Sequence, residues 1–181
     1  MKNSIILALI FAGLLCSSCN NAQNKTTTKM KDVNEIAKLT EEQYAQEVSE
    51  IYVRTYKGMA DLIYNSKKID AEFEKKLDKI FEEGAKQMIH YGKAMDLNDS
   101  ETRIVYIENA SMKSYFAIEK LDKKYTEQFE TEFEKRKQEF IDYGSATLKE
   151  IIDAIFSLPT FLDDVKLKEE MPQMAKRFGV E

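Results

Sequence analysis

Three sets of side chains have types and spacings that invite chemistry. The first is Cys16-Ser17-Ser18-Cys19, which holds both cysteines of the 181-residue chain. A C-x-x-C pair suits a redox dithiol, half of a zinc site, or haem attachment when histidine follows. Asn20 follows here, and no second pair exists to complete a zinc site. The second is His90, the single histidine. A di-iron centre in a helical bundle draws Glu-x-x-His from two helices, but Gln87 stands three residues before His90. A haem would need a methionine such as Met59 or Met112 opposite His90; a hydrogen-bonded or solvated helix histidine is the plainer reading. The third set is the carboxylate pairs Glu82-Glu83 and Asp163-Asp164. Adjacent residues point different ways on a helix, so these read as solvated charge. A Ser, His and Asp grouping forms only in the fold, and spacing alone leaves it open. With one histidine and no Gly-rich phosphate loop, the chain is expected to bind no metal or cofactor and not to be an enzyme.

The cysteines gain meaning from what precedes them. Lys2 supplies a positive start, Ile5 to Leu15 is an unbroken apolar run, and polar residues begin at Asn20. Eleven apolar residues are too few to cross a bilayer, which needs about 20. A charged start, a short apolar core and small residues before a break mark a secretory signal. Leu14, Leu15, Ser17, Ser18 and Cys19 resemble the end of a bacterial lipoprotein signal peptide, although Cys16 stands where Leu or Val is usual. The resemblance implies cleavage after residue 18, acylation of Cys19, and a lipid anchor in the cell envelope. The absence of an acidic residue after Cys19 resembles signals for the outer membrane, with the domain facing the periplasm. The alternative is an ordinary secretory signal cut after Ser18, leaving Cys19 free. With Cys16 removed and Cys19 lipidated, no thiol or disulfide remains, and stability must come from an apolar core.

Roughly 160 residues then remain, enough for one domain with a sizeable core. The formal charge is −5. This acidic balance argues against nucleic acid, whose binding needs a basic face. Residues 19–39 are rich in Asn, Thr and Lys and read as a polar tether, with an r.m.s. span of roughly 25 Å if flexible. The alternative is that this segment packs on the domain through Val33 and Ile36.

From residue 40 to 181 the helical period dominates. Thr40 and Gln43 have capping-box spacing. Tyr44, Val48, Ile51, Thr55, Met59 and Leu62 form one apolar stripe, which breaks over 65–70. Phe73, Leu77, Ile80, Gly84, Met88, Tyr91 and Met95 form a second, closed by a polar turn over 96–100. Ile104, Ile107, Ser111, Ser114, Ile118, Leu121 and Tyr125 form a third, more polar in its middle. Phe133, Phe140, Gly144, Leu148, Ile151 and Ile155 form a fourth, nearly continuous with the third and ended by Pro159. No stretch alternates as a strand would. The expected fold is all-α: an antiparallel four-helix bundle with a short C-terminal helical segment, in which Pro172 opens a last turn and Gly179 closes it.

A repeat at an offset of sixty aligns Glu72-Phe73-Glu74-Lys75-Lys76 with Glu132-Phe133-Glu134-Lys135-Arg136, and Gly84 with Gly144. It suggests a duplicated helical hairpin. Recurrent i, i+4 pairs such as Glu72–Lys76 and Glu132–Arg136 on exposed faces would give a similar pattern without duplication.

Two function classes follow. In the first, a membrane-anchored periplasmic module binds or scaffolds another envelope protein. Tyr52, Tyr56 and Tyr64 are its candidate partner face, since tyrosine is enriched at interfaces; the plainer reading is that they cap the core with hydroxyls in water. In the second, a small apolar ligand sits between the helices near Gly84, Gly144 and Met88. The plainer reading of the methionines is gap-filling. The glycines also suggest a close crossing of the second and fourth helices, and their plainer reading is a tolerated bend in each helix that faces nothing in particular. Oligomeric state stays open.

Overall fold

The structure is a computed structural model that describes residues 30–180. Among them the chain is all-α, with eight α-helices and two 3₁₀ segments and no strand: α1 (Val33–Ile36), α2 (Glu41–Asn65), α3 (Ala71–Met95), α4 (Ser100–Glu119), α5 (Glu127–Tyr143), α6 (Ala146–Ala154), α7 (Asp164–Glu170) and α8 (Pro172–Arg177). Helix starts follow local chemistry. The Thr40 hydroxyl accepts from Gln43 N (3.3 Å), and Gln43 Oε1 accepts from Thr40 N (3.0 Å), so two orphan donors are satisfied. Asp70, Asp99 and Ser145 accept from Phe73, Thr102 and Leu148 N in the same way. Pro159 lies in the first turn of the 3₁₀ segment Leu158–Leu162, Pro172 opens α8, and Gly179 follows it at φ 64°.

α2 packs on both α3 and α4, most extensively on α4, and the 3₁₀ segment 158–162 lies across α3. An aromatic chain crosses the core. It runs from Tyr115 on α4 through Tyr52 and Tyr56 on α2 to Phe129 and Phe133 on α5, and then to Phe140 and Phe73. Tyr56 and Phe129 meet edge to face at 5.4 Å and 78°, a preferred geometry for ring quadrupoles. Phe81, Phe161 and Phe178 form a second cluster that fixes the C-terminal segment.

Three expectations are corrected. The tether does not extend to residue 39: Ile36 is fully buried and Val33 packs on the core. Asp32 caps α1, and His90 Nε2 donates to the Lys31 carbonyl at 2.7 Å. Burial of one isoleucine contributes about 1.5–3 kcal/mol, enough to dock a one-turn helix against α3. Next, the third and fourth stripes are not continuous. α4 ends at Glu119, and a 3₁₀ turn at Lys123–Tyr125 precedes α5. The fourth stripe is also cut at Gly144, which adopts φ 72° as the C-cap of α5, a left-handed conformation that glycine adopts without a Cβ penalty. Finally, Glu132 and Arg136 do not pair. Glu132 lies 3.8 Å from Lys135, while Arg136 turns inward and donates through Nη1 to the Ile63 carbonyl. That carbonyl is in the last turn of α2, where no intrahelical donor serves it, and the last turn of α2 has no basic residue of its own.

Gly84 does mark a close helix crossing, with α2 rather than the fourth stripe. A Cβ there would fall 2.5 Å from Thr55 Cγ2 and 3.0 Å from Thr55 Cβ, with Oγ1 closer still. Thr55 cannot swing aside, because its Cβ is fixed by the backbone and its hydroxyl donates to the Ile51 carbonyl at 2.8 Å. Gly84→Ala is therefore expected to destabilise by about 1–3 kcal/mol in urea melts, despite the better helix propensity of alanine. Adding Thr55→Ala should recover much of that loss, a non-additivity that marks direct contact. Stabilisation by Gly84→Ala would show that the crossing is loose.

Candidate functional site

The sequence-predicted site residues do not form one surface. Cys19 lies outside the described residues. Tyr52 and Tyr56 are each only 2 % exposed, so they build the core and present no face. The hydroxyls of Tyr52 and Tyr64 are not given over to water either. Tyr52 donates to the Phe156 carbonyl (3.2 Å), and Tyr64, half-buried beside Phe129, donates to the Lys124 carbonyl (2.6 Å). Met88 is fully buried, as are Met59 and Met95. Thr55 occupies the space beside Gly84, and Gly144 lies at the end of α5, where a Cβ would have only the Asp142 carbonyl within 4 Å. The pocket expected from these residues is therefore not assembled at that point.

Burial also changes the tyrosine hydroxyls. It pushes the phenols of Tyr44 and Tyr52 well above the ordinary tyrosine range. A phenol whose folded pKa is raised contributes stability that is complete below its unfolded value, about 10, and is lost as pH rises beyond it. The contribution of these phenols should therefore be constant up to about pH 10. Above that it should fall by up to about 1.4 kcal/mol per pH unit for each such phenol. Tyr52→Phe should cost about 1 kcal/mol at neutral pH through one lost hydrogen bond, and should make the alkaline fall shallower. Urea melts between pH 8 and 12 check both; an unchanged slope would show that Tyr52 does not carry the effect.

His90 has a structural role, pinning Lys31 as described. Nearby, Glu47 receives Tyr91 Oη at 2.6 Å and an ion pair from Lys31. Burial works to raise the Glu47 pKa, and the hydrogen bonds from Lys31 and Tyr91 outweigh it, holding the carboxyl below its usual range. Of the adjacent carboxylates, Asp163 caps α7, Asp164 accepts from Arg103 Nη2 at 2.9 Å, Glu82 pairs with Lys86, and Glu83 lies 3.9 Å from Lys79. All are thus engaged in structure.

The surface that stands out is on α4. Its inner side places Ile107, Ala110 and Ser114 against the core. Small residues bring α4 close to α2, and the Ser114 hydroxyl donates to its own helix at the Ala110 carbonyl (2.7 Å). The outer side carries Ile104, Val105, Met112, Tyr115 and Phe116, with Met112 53 % and Phe116 56 % exposed. The sequence stripe puts Ile104 in the core, and the structure does not. Arg103, bonded to Asp96 and Asp164, anchors the first turns with Ile104 turned outward. On a helix of 3.6 residues per turn, these five residues share about one third of the circumference. A groove of about 390 Å³ adjoins this side, lined by Met112, Tyr115, Pro159 and Thr160 among others. A signal for it exists in the sequence: Val105, Met112 and Phe116 recur at seven and four residues, a second apolar stripe on a helix already assigned one.

Among the described residues, no helix is long and apolar enough to cross a membrane, and no group of three or more His, Cys, Asp or Glu is placed to hold a metal ion. Comparison with protein families, with curated proteins and with solved structures gives no match.

Proposed function

We propose that this chain is a lipid-anchored helical module of the bacterial envelope, held by Cys19 at the outer membrane facing the periplasm, which binds another envelope protein through the outer side of α4. The observation that carries the reading is the group of exposed apolar residues Ile104, Val105, Met112, Tyr115 and Phe116 on one side of α4. Isolated exposed apolar residues need no explanation, whereas a grouped patch marks an interaction site. The anchor rests on the resemblance of residues 14–19 to a lipoprotein signal, and stable anchoring needs more than one acyl chain. An apolar-ligand carrier has less support, since Thr55 fills the space beside Gly84.

A photocrosslinking residue at position 116, in cells making the full chain, tests the reading. A discrete adduct with one envelope protein is expected, lost in Met112→Glu and absent when the crosslinker replaces Lys79, an exposed residue of α3. Cys19→Ala should leave uncleaved precursor or release the protein from the membrane fraction. Equal labelling at 79 and 116 would remove the interface; a membrane-bound Cys19→Ala protein of mature size would remove the anchor.

A further inference from the structure

The outer side of α4 is not uniformly apolar, and its charge pattern specifies what covers it. Glu101, Glu108 and Glu119 are all exposed. They are seven and eleven residues apart, close to two and three helical turns, so they form one row. On the helical projection this row runs between two apolar ridges, Ile104 with Tyr115 on one side and Val105, Met112 and Phe116 on the other. No hydrogen bond or ion pair among the described residues engages any of the three glutamates. Of the cations on or next to α4, Lys113 and the C-cap Lys120 lie beyond the second ridge, and Arg103 lies beyond the first, bonded to Asp96 and Asp164. The far wall of the adjoining groove holds two acids, Asp163 and Glu170, and one base, Lys166; Asp163 also lies 3.8 Å from Arg103, so this wall is close to balanced and the negative charge of the face is that of the glutamate row.

An acidic row between apolar ridges restricts the occupant. A second copy using the same face would set acids against acids in either helix orientation, or bury them unpaired against the ridges; both arrangements are unfavourable. An anionic lipid surface would be repelled by the same row. A purely apolar helix would desolvate three carboxylates without compensation. We infer that this face seats an amphipathic helix of a partner protein, with lysines or arginines spaced seven and eleven residues apart along the middle of its apolar side and a large apolar side chain entering the groove between Met112, Tyr115 and Pro159. This is helix-in-groove recognition with the charge row setting register and partner choice. The inference rests on the proposed protein-binding role and names the chemistry of its partner.

The test uses the mature chain in zwitterionic nanodiscs and two 20-residue leucine-based amphipathic peptides, identical except for Lys or Glu in the central row, with empty nanodiscs as control. Fluorescence anisotropy should show the lysine peptide binding at least ~10-fold more tightly than the glutamate peptide, with the preference weakening in salt. The triple variant Glu101→Lys, Glu108→Lys, Glu119→Lys alters only exposed side chains and should melt as the parent does. It should reverse the preference. Phe116→Ser should weaken the lysine peptide ~10-fold while leaving the sign of the preference intact. A preference that survives the triple charge reversal would overturn the inference. So would tighter binding to anionic vesicles that Phe116→Ser abolishes, or a dimer in sedimentation that Phe116→Ser dissolves. If crosslinking at 116 captures a protein but neither peptide is preferred, the partner chemistry fails and the binding role stands. If the peptide preference reverses as stated but nothing crosslinks in cells, the chemistry of the face stands and the cellular role fails.

Discussion

Phe129→Ala is expected to cost about 3–5 kcal/mol, the range for removing a buried phenylalanine. Phe129 is fully buried. Its ring lies 5.4 Å from Tyr56, 6.0 Å from Tyr64, 5.8 Å from Phe133 and 6.1 Å from Phe156. These rings come from α2, from α5 and from the segment after α6, so the residue joins elements that share few other contacts. Truncation would remove the transfer term and leave a void that rigid rings cannot collapse to fill. Edge-to-face pairing adds about 0.5–1.5 kcal/mol that the void also forfeits. Against a typical total of about 5–15 kcal/mol, the variant should unfold at markedly lower urea. Phe129→Leu should recover most of the loss, because it keeps most of the volume. A Phe129→Ala midpoint within error of the parent would show that α5 is not docked as described.

Gly92→Ala is expected to destabilise by about 3 kcal/mol, the upper end for overpacking. A Cβ at Gly92 would lie 2.9 Å from the carbonyl carbon and 3.1 Å from the Cα of Leu162, with the carbonyl oxygen closer still. The obstacle differs in kind from that at Gly84. Thr55 presents a side chain, whereas Leu162 presents backbone, and no rotamer change relieves it. The 3₁₀ segment Leu158–Leu162 would have to lift off α3, loosening the packing of Phe161 between Phe81 and Phe178. Hydrogen exchange should accordingly lose protection over 158–180 in the variant while α2 keeps its protection. Stabilisation by about 0.4–1 kcal/mol, the gain for alanine at an open helical site, would mean that the segment does not rest there.

The local features of this fold are legible in the residues because the interactions that set them act within one helical turn. Thr40 with Gln43 starts α2, Asp99 opens α4 in the predicted polar turn, Pro172 begins α8 at its missing N–H, and Gly179 closes it, whereas Pro159, expected to end the fourth helix, lies in the first turn of a 3₁₀ segment. The all-α class follows from the period of the apolar residues, which is also local. What an apolar or small residue faces is decided by which helix arrives beside it. Gly84 and Gly144 sit at equivalent places in the sequence repeat. One is wedged against Thr55 and the other ends a helix in the left-handed region. Tyr52 and Tyr56 have the spacing of a surface ladder, yet α4 and α5 close over them because ring burial outweighs leaving their faces in water. Arg136 has the spacing of half a surface ion pair, but the end of α2 brings an unserved carbonyl within its reach. Composition and period thus determined that the chain is helical, and local caps where α2, α4 and α8 begin. Only the tertiary structure decided which of α4's two apolar stripes is core and which faces outward, because both have the same period and only one can pack against α2.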